Sequence, residues 1–461
     1  MENNIDKFVC SVRLEEELCK GCINCIKHCP TQAIRVHKGK ARIIDRFCID
    51  CGRCVRYCPH HAKVADYDPI SIISKYKYVV ALPAPALYAQ FQNLNNVDYV
   101  LNALLRLGFD DVYEVSAAAE LVSHASREFL KKHKNQGTFI SSACPSVIRL
   151  IRVKFPTLLP RLLPIKAPVE VAAEIAKERA ITQTGLAPED IGIIFISPCP
   201  SKVSYVKYPL GLEKSTINHA VAIKDIYPLL LPHMNMKESQ LKPLSHSGRI
   251  GLGWGNAGGE VSGLLTDSYL SADGITNIIR VLEDLEDEKI YSMKFVELSA
   301  CSGGCVGGIL NVENPYLAAH KTQRLKKYQP VSKNRAEHNP ELKDIFWEEK
   351  IEYEPVFRLG NNFRESLNML QEVEKLVKLF PGFDCGSCGA PTCQTLAEDI
   401  VRGDAQINNC IHLLRTHVYE LAKDIQVLSM SPELDSDHED TQKIKKHIEE
   451  LMEKLAEFTI S

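Results

Sequence analysis

With 461 residues, 45% of them hydrophobic and 25% charged, the chain has the balance of a globular protein of several domains. A formal net charge of −3 gives no global basic field for nucleic acid or anionic lipid. The longest apolar stretches, such as residues 78–82 and 191–196, are strand-length, and the start MENNIDKF has no signal-peptide apolar region, so the expectation is a cytoplasmic protein with no membrane partner.

Cysteine is the informative residue. The 17 cysteines fall into tight groups, which in a reducing compartment read as metal ligands rather than as a disulfide framework. Sixteen divide into sets of eight, four and four; Cys10 is left over and reads as a semi-buried thiol.

The first predicted domain spans residues 8–70. Cys19, Cys22, Cys25 and Cys29, followed by Pro30, give C-x2-C-x2-C-x3-C-P, and Cys48, Cys51, Cys54 and Cys58, followed by Pro59, repeat it. Three closely spaced thiolates wrap one cubane while the fourth reaches the other cluster. Cys19, Cys22, Cys25 and Cys58 are therefore assigned to one [4Fe–4S] cluster, and Cys48, Cys51, Cys54 and Cys29 to a second. Zinc sites use thiolates in pairs, not in two identical runs of four. Between the runs, TQAIRVHKGKARIID reads as a hairpin with Lys38 and Gly39 at its turn. His60 and His61 read as solvated helix-end residues. The segment closely resembles the bacterial two-cluster ferredoxins, an α+β fold that carries electrons and makes no bonds.

Residues 76–325 alternate strand-like runs (YKYVVAL, FDDVYEV, GTFISSA, IGIIFIS, KFVELSA) with runs of helical period (VDYVLNALLRL, VEVAAEIAKERA), which predicts an α/β domain. Three of the strands lead into cysteine motifs: SSACPSV with Cys144, SPCPSK with Cys199, and ELSACSGGCVGG with Cys301 and Cys305. Open α/β sheets bind ligands at strand carboxyl ends. Four cysteines from three such loops can hold a further cubane, with Gly303, Gly304, Gly307 and Gly308 allowing close backbone approach.

In this order and spacing the loops resemble those of the [FeFe]-hydrogenase large-subunit catalytic domain. ALPAPALYAQF, LLPIKAP and GWGNAGGEV extend the resemblance over some 250 residues. It implies a cubane on Cys144, Cys199, Cys301 and Cys305, bridged through Cys305 to a two-iron unit carrying CO and cyanide at which H2 reacts. Lys202 takes the place of the family's lysine that donates to an iron-bound cyanide. Departures accompany the matches. Ala143 stands where active members carry a proton-relay cysteine, and Val147, Ser197 and Ser299 stand where they carry Trp, Met and Met. Upstream, ELVSHASREF offers Glu120, His124 and Glu128 without the family's paired glutamates. Loss of the cysteine resembles the members assigned a sensory role.

Residues 326–365 read as a charged linker, and residues 366–429 as a small, mostly helical domain with Cys385, Cys388, Cys393 and Cys410. DCGSCGAPTCQTLAEDIVRGDA resembles the four-cysteine [4Fe–4S] domain of electron-transfer and corrinoid-linked proteins; a zinc site is the rival reading. Ile411, Leu414, Val418, Leu421, Ile425 and Leu428 form a heptad seam, repeated within 430–461 by Ile444, Ile448, Leu451, Leu455 and Phe458. Homodimer pairing through these helices and packing on their own domain are both open.

Two functional readings follow. One is a redox protein with four [4Fe–4S] clusters and a two-iron unit, acting as a slow hydrogenase or as an H2 or redox sensor, with a ferredoxin-like or other redox protein as partner. The other is an electron-transfer or regulatory protein with cubanes alone.

Overall fold

The structure is a computed structural model that describes residues 8–290, 292–334 and 344–429 and, singly, Lys443, Lys446 and His447. The second heptad segment, Ile444 to Phe458, lies outside the described residues. Two compact units divide the chain: Met1–Ile34 with Lys38–Phe357, and Arg35–His37 with Arg358–Ser461.

The first unit begins with β1 (Val12–Leu14) and later β4 (Lys63–Ala65), paired antiparallel, Leu14 opposite Lys63. Between them in the chain come β2 (Ile34–His37), of which Arg35–His37 fall in the second unit, and β3 (Lys40–Ile43), the expected hairpin, with Lys38 (φ 47°) and Gly39 (φ 71°) turning the chain in the left-handed region. Each cysteine run carries a one-turn helix, Asn24–Lys27 or Arg53–Arg56, before its last cysteine.

Two parallel sheets build the α/β part. One has the order β6 (Asp111–Val112), β5 (Tyr78–Pro83), β8 (Ile191–Ser197), β9 (His219–Ala222); the other has the order β10 (Tyr269–Asp273), β11 (Phe295–Ser299), β7 (Phe139–Ile140). β8 explains its own sequence. Flanked by β5 and β9, it is buried at all seven positions, so IGIIFIS is an unbroken apolar run rather than an alternating one. FDDVYEV is mostly not strand: after β6 the chain enters the helix Val115–Lys132. β9 and β10 are strands that the apolar pattern did not reveal.

The helix Pro168–Thr184 starts with Pro168, whose missing N–H costs nothing at a first turn, and stops at Gly185 in the left-handed conformation (φ 66°). Residues 344–357, within the predicted linker, run against this unit: Lys166 N donates to Ile345 O, Trp347 N to Pro164 O, and Phe357 stacks on Phe47.

In the second unit, the helices Phe363–Leu379, Cys393–Val401 and Ile411–Ser429 surround a small core of Val373, Phe380, Ala390, Leu396, Ala397 and Cys410. Among the described residues no helix is long and apolar enough to cross a membrane.

Candidate metal centre

The central site forms where strands stop. β7 runs into Ser141, Ser142, Ala143 and Cys144; β8 into Pro198 and Cys199; β11 into Ala300 and Cys301. Cys144 and Cys199 are N-caps of the helices Pro145–Lys154 and Pro200–Lys207, each opened by proline. A Cys-Pro pair thus places each cysteine at a helix amino end. The third loop needs its glycines. Gly304 lies at φ +84°, and a Cβ there would come within 2.5 Å of Ala257 N; a Cβ on Gly308 would come within 2.2 Å of Pro198 O.

Cys144, Cys199, Cys301 and Cys305 line one cavity of about 80 Å³. Lys202, one turn beyond Cys199, reaches into it, with Nζ 3.7 Å from Cys305 Sγ and 3.4 Å from Ala143 O. The other walls include Ala84, Pro85, Val115, Ala119, Val169 and Phe195. Burial pushes Cys199 up to about 12 and Cys301 well above its ordinary value. Bare thiolates are thus costly here, which fits metal-bound sulfur.

Ser197 is fully buried, its Oγ donating to Cys199 O and accepting from Cys199 N, so it braces the ligand's backbone. Ser299 and Ala143 line the cavity and Val147 is buried against the second sheet. Glu120 does not line the cavity. Its carboxylate accepts from Gly248 N, Gly251 N, Lys333 N and Asn334 N, tying distant backbone together. Glu128 pairs with Lys131 at the surface.

Three carboxylates that the motifs did not single out do line the cavity, Asp50, Glu260 and Glu297. Glu260 is 4% exposed and accepts from Ser141 Oγ; Glu297 is 3% exposed and accepts from Gly258 N and Val261 N. Burial raises the pKa of both, and Glu297 pushes Glu260 further, while Ser141 and Lys202 oppose the rise. Asp273, partly exposed in β10, adds its charge to that acting on Glu297. The signal was legible in part: Glu260 lies inside the segment GWGNAGGEV.

In the amino-terminal module, Cys19, Cys22, Cys25 and Cys58 line one pocket of about 10 Å³. Cys29 lies within electrostatic reach of Cys48, Cys51 and Cys54. Cys51 also lines the central cavity, and with Cys301 a second, polar pocket beside it. Cys10 donates to Val12 O and Asp45 Oδ1, beside Cys48.

In the second unit, Cys385, Cys388, Cys393 and Cys410 line a pocket of about 10 Å³. Gly386 and Gly389 both take positive φ in the CG-x-CG turn. Hydrogen bonding from Ser387, with a smaller part from His412, lowers Cys385 to about 7.

Parallel strands that end in cysteine loops around a lysine-walled cavity, beside a doubled cysteine-run module, define a hydrogenase-like iron–sulfur redox protein. The chain belongs to the family of the iron-only hydrogenase large subunit, C-terminal domain, which matches residues 77–259 and 253–309. A 4Fe-4S dicluster domain matches residues 11–59, and an Fe-S cluster family matches residues 380–412.

Iron hydrogenase 1 of Clostridium pasteurianum is 24% identical over 288 residues, 50% of this chain and 50% of that protein. The NADP-reducing hydrogenase subunit HndD of Solidesulfovibrio fructosivorans is 23% identical over 358 residues, 64% of this chain and 56% of that protein. The chain therefore spans about half the length of these curated relatives. Among solved structures, a variant of the [FeFe]-hydrogenase HydA1 from Chlamydomonas reinhardtii is similar at 16% identity and a TM-score of 0.47, covering 59% of this chain and 91% of that one.

Proposed function

We propose that this chain holds four [4Fe–4S] clusters and, in the central cavity, a two-iron unit bridged through Cys305, and that it acts as a slow hydrogenase or as an H2 or redox sensor. The observation that carries this reading is the size of the central cavity. Two other four-cysteine pockets measure about 10 Å³ each, whereas the central one measures about 80 Å³. The central cavity therefore has room beyond that of the other four-cysteine pockets.

The donor set fits the larger occupant. Four thiolates would hold the cubane, Cys305 would bridge, and Lys202 Nζ would donate to the two-iron unit's polar ligands from beside the Cys305 sulfur. When bound, such a unit supplies the iron at which H2 interconverts with protons and electrons.

The remaining work falls to the protein. Val115, Ala119, Val169 and Phe195 limit water, and Cys51 in the cavity wall supports electron passage through the second ferredoxin cluster. Ala143 offers no proton. Glu260, with Ser141 hydrogen-bonded to it and Glu297 beside it, is the carboxyl that would hold and release protons at the cavity. The Ala143 methyl and the Ser299 wall favour the second reading, cubanes alone in an electron-transfer or regulatory protein.

The test is iron analysis after anaerobic maturation with the two-iron precursor. A gain equal to one such unit per chain in the wild type, absent in Cys305→Ala, is expected; equal iron with and without the precursor leaves the cubane-only reading.

A cytoplasmic location and a ferredoxin-like or other redox partner complete the proposal, the latter supported by a relative named as a hydrogenase subunit. Ile411, Leu414, Val418 and Leu421 are exposed on one helix, which supports pairing with a second copy. Leu414→Lys with Leu421→Lys is expected to convert a dimer to a monomer in sedimentation; a wild-type monomer at all concentrations would contradict the pairing.

A further inference from the structure

Lys63 is a residue that neither the cysteine motifs nor the hydrogenase-like site accounts for. It opens β4, a strand that begins just after the second cysteine run, and its side chain points inward, leaving the residue 2% exposed. Its Nζ is fully buried and has no hydrogen-bond partner among the described residues. Burying an unpaired ammonium costs several kcal/mol unless an opposing charge compensates it. The side chain forms part of the wall of the pocket lined by Cys19, Cys22, Cys25 and Cys58. Its positive charge also favours the thiolates of Cys25 and Cys54, and so reaches both cysteine sets of the module.

We propose that Lys63 is a built-in cation of the first ferredoxin cluster, donating hydrogen bonds to its sulfur atoms and making it the more easily reduced of the two ferredoxin clusters. A cubane becomes more negative by one charge as it takes up one electron. A fixed ammonium at its wall, in a low-dielectric pocket, therefore stabilises the reduced form more than the oxidised one. Hydrogen bonds and net charge at the sulfurs are the levers by which a protein sets such potentials. The second cluster, on Cys48, Cys51, Cys54 and Cys29, meets the same charge at Cys54, where it ranks behind the neighbouring thiolates of Cys51 and Cys29, and stays the weaker electron acceptor. Electrons arriving at the module would rest on the first cluster and pass through the second toward the cavity that Cys51 also lines. The inference rests on the cubane part of the proposed function and is independent of the two-iron unit.

The experiment is a potentiometric titration of the full chain, followed by paramagnetic resonance, in wild type, Lys63→Met and Lys63→Arg. Methionine keeps the apolar stem and removes the charge. The expected result is that Lys63→Met lowers the midpoint of one ferredoxin cluster by at least about 59 mV, a tenfold change in electron partition, while Lys63→Arg retains most of the wild-type value. A Lys63→Met protein whose clusters all titrate as in the wild type would overturn the assignment. Should Lys63→Met not assemble, wild-type protein carrying nitrogen-15 at the lysine ε position gives the answer by pulsed resonance of the first ferredoxin cluster to be reduced. A nitrogen-15 coupling is expected there, and its absence overturns the proposal. Wild-type protein with no cubane signal would instead overturn the cluster reading on which the proposal stands.

Discussion

Ala143→Cys is expected to raise H2 turnover of the matured protein by about two to four orders of magnitude, the range that a positioned general acid–base commonly contributes. The reason is local. Ala143 precedes Cys144 on the loop after β7 and lines the cavity, with its carbonyl 3.4 Å from Lys202 Nζ. A thiol on that Cβ would place an exchangeable proton where the methyl now is. Proton-reduction assays with a chemical reductant check this, with Ala143→Ser as a control for size. An unchanged rate in a variant that carries its two-iron unit would mean that proton delivery does not limit the site.

Glu260→Gln is expected to act in the opposite direction on activity, lowering turnover by about two orders of magnitude or more and flattening its pH dependence. The groups that face Glu260 are Ser141 from the loop after β7, Glu297 from β11 and Lys202 from the helix after Cys199, with Asp273 of β10 acting on Glu297. The same substitution has a stability signature whose sign is fixed. Burial and Glu297 raise the folded-state pKa of Glu260 above its unfolded value. The protonated, folded form is therefore favoured below the unfolded carboxylate range, and that contribution is lost as pH rises through the raised value. A tenfold difference in proton affinity between the folded and unfolded chain corresponds to about 1.4 kcal/mol. Chemical denaturation should therefore show wild type losing stability toward alkaline pH and Glu260→Gln losing less. Parallel pH profiles for the two proteins would show that Glu260 does not hold a proton in the fold.

Much of the site was legible because thiol chemistry is written locally. The two C-x2-C-x2-C-x3-C-P runs give their candidate ligands by spacing, while the three strand-end loops gave theirs through the resemblance to the hydrogenase family. The structure brings Cys144, Cys199, Cys301, Cys305 and Lys202 to one cavity. β8 was legible for the same kind of reason, since a strand buried on both faces has to be continuously apolar.

What escaped was non-local. Glu260 and Glu297 meet only because a glycine-rich helix start packs against β11, and nothing in either segment announces the other. β9 sits beside the longer β8 and β10 beside β11, and their short, mixed sequences, HAVA and YLSAD, are stabilised by pairing rather than by pattern. FDDVYEV reads as strand by composition, yet only Asp111–Val112 form strand, the rest being irregular up to the helix that begins at Val115. Lys63 was invisible because a lysine after a cysteine run looks solvated until β4 turns it inward.

The most direct measurement is infrared spectroscopy of the anaerobically matured protein in the region where iron-bound CO and cyanide absorb, recorded under argon and then under H2. Sharp bands that shift on adding H2 and that vanish in Cys305→Ala are expected. A featureless spectrum from protein whose cubanes are intact by paramagnetic resonance would contradict the two-iron unit and leave an electron-transfer or regulatory protein.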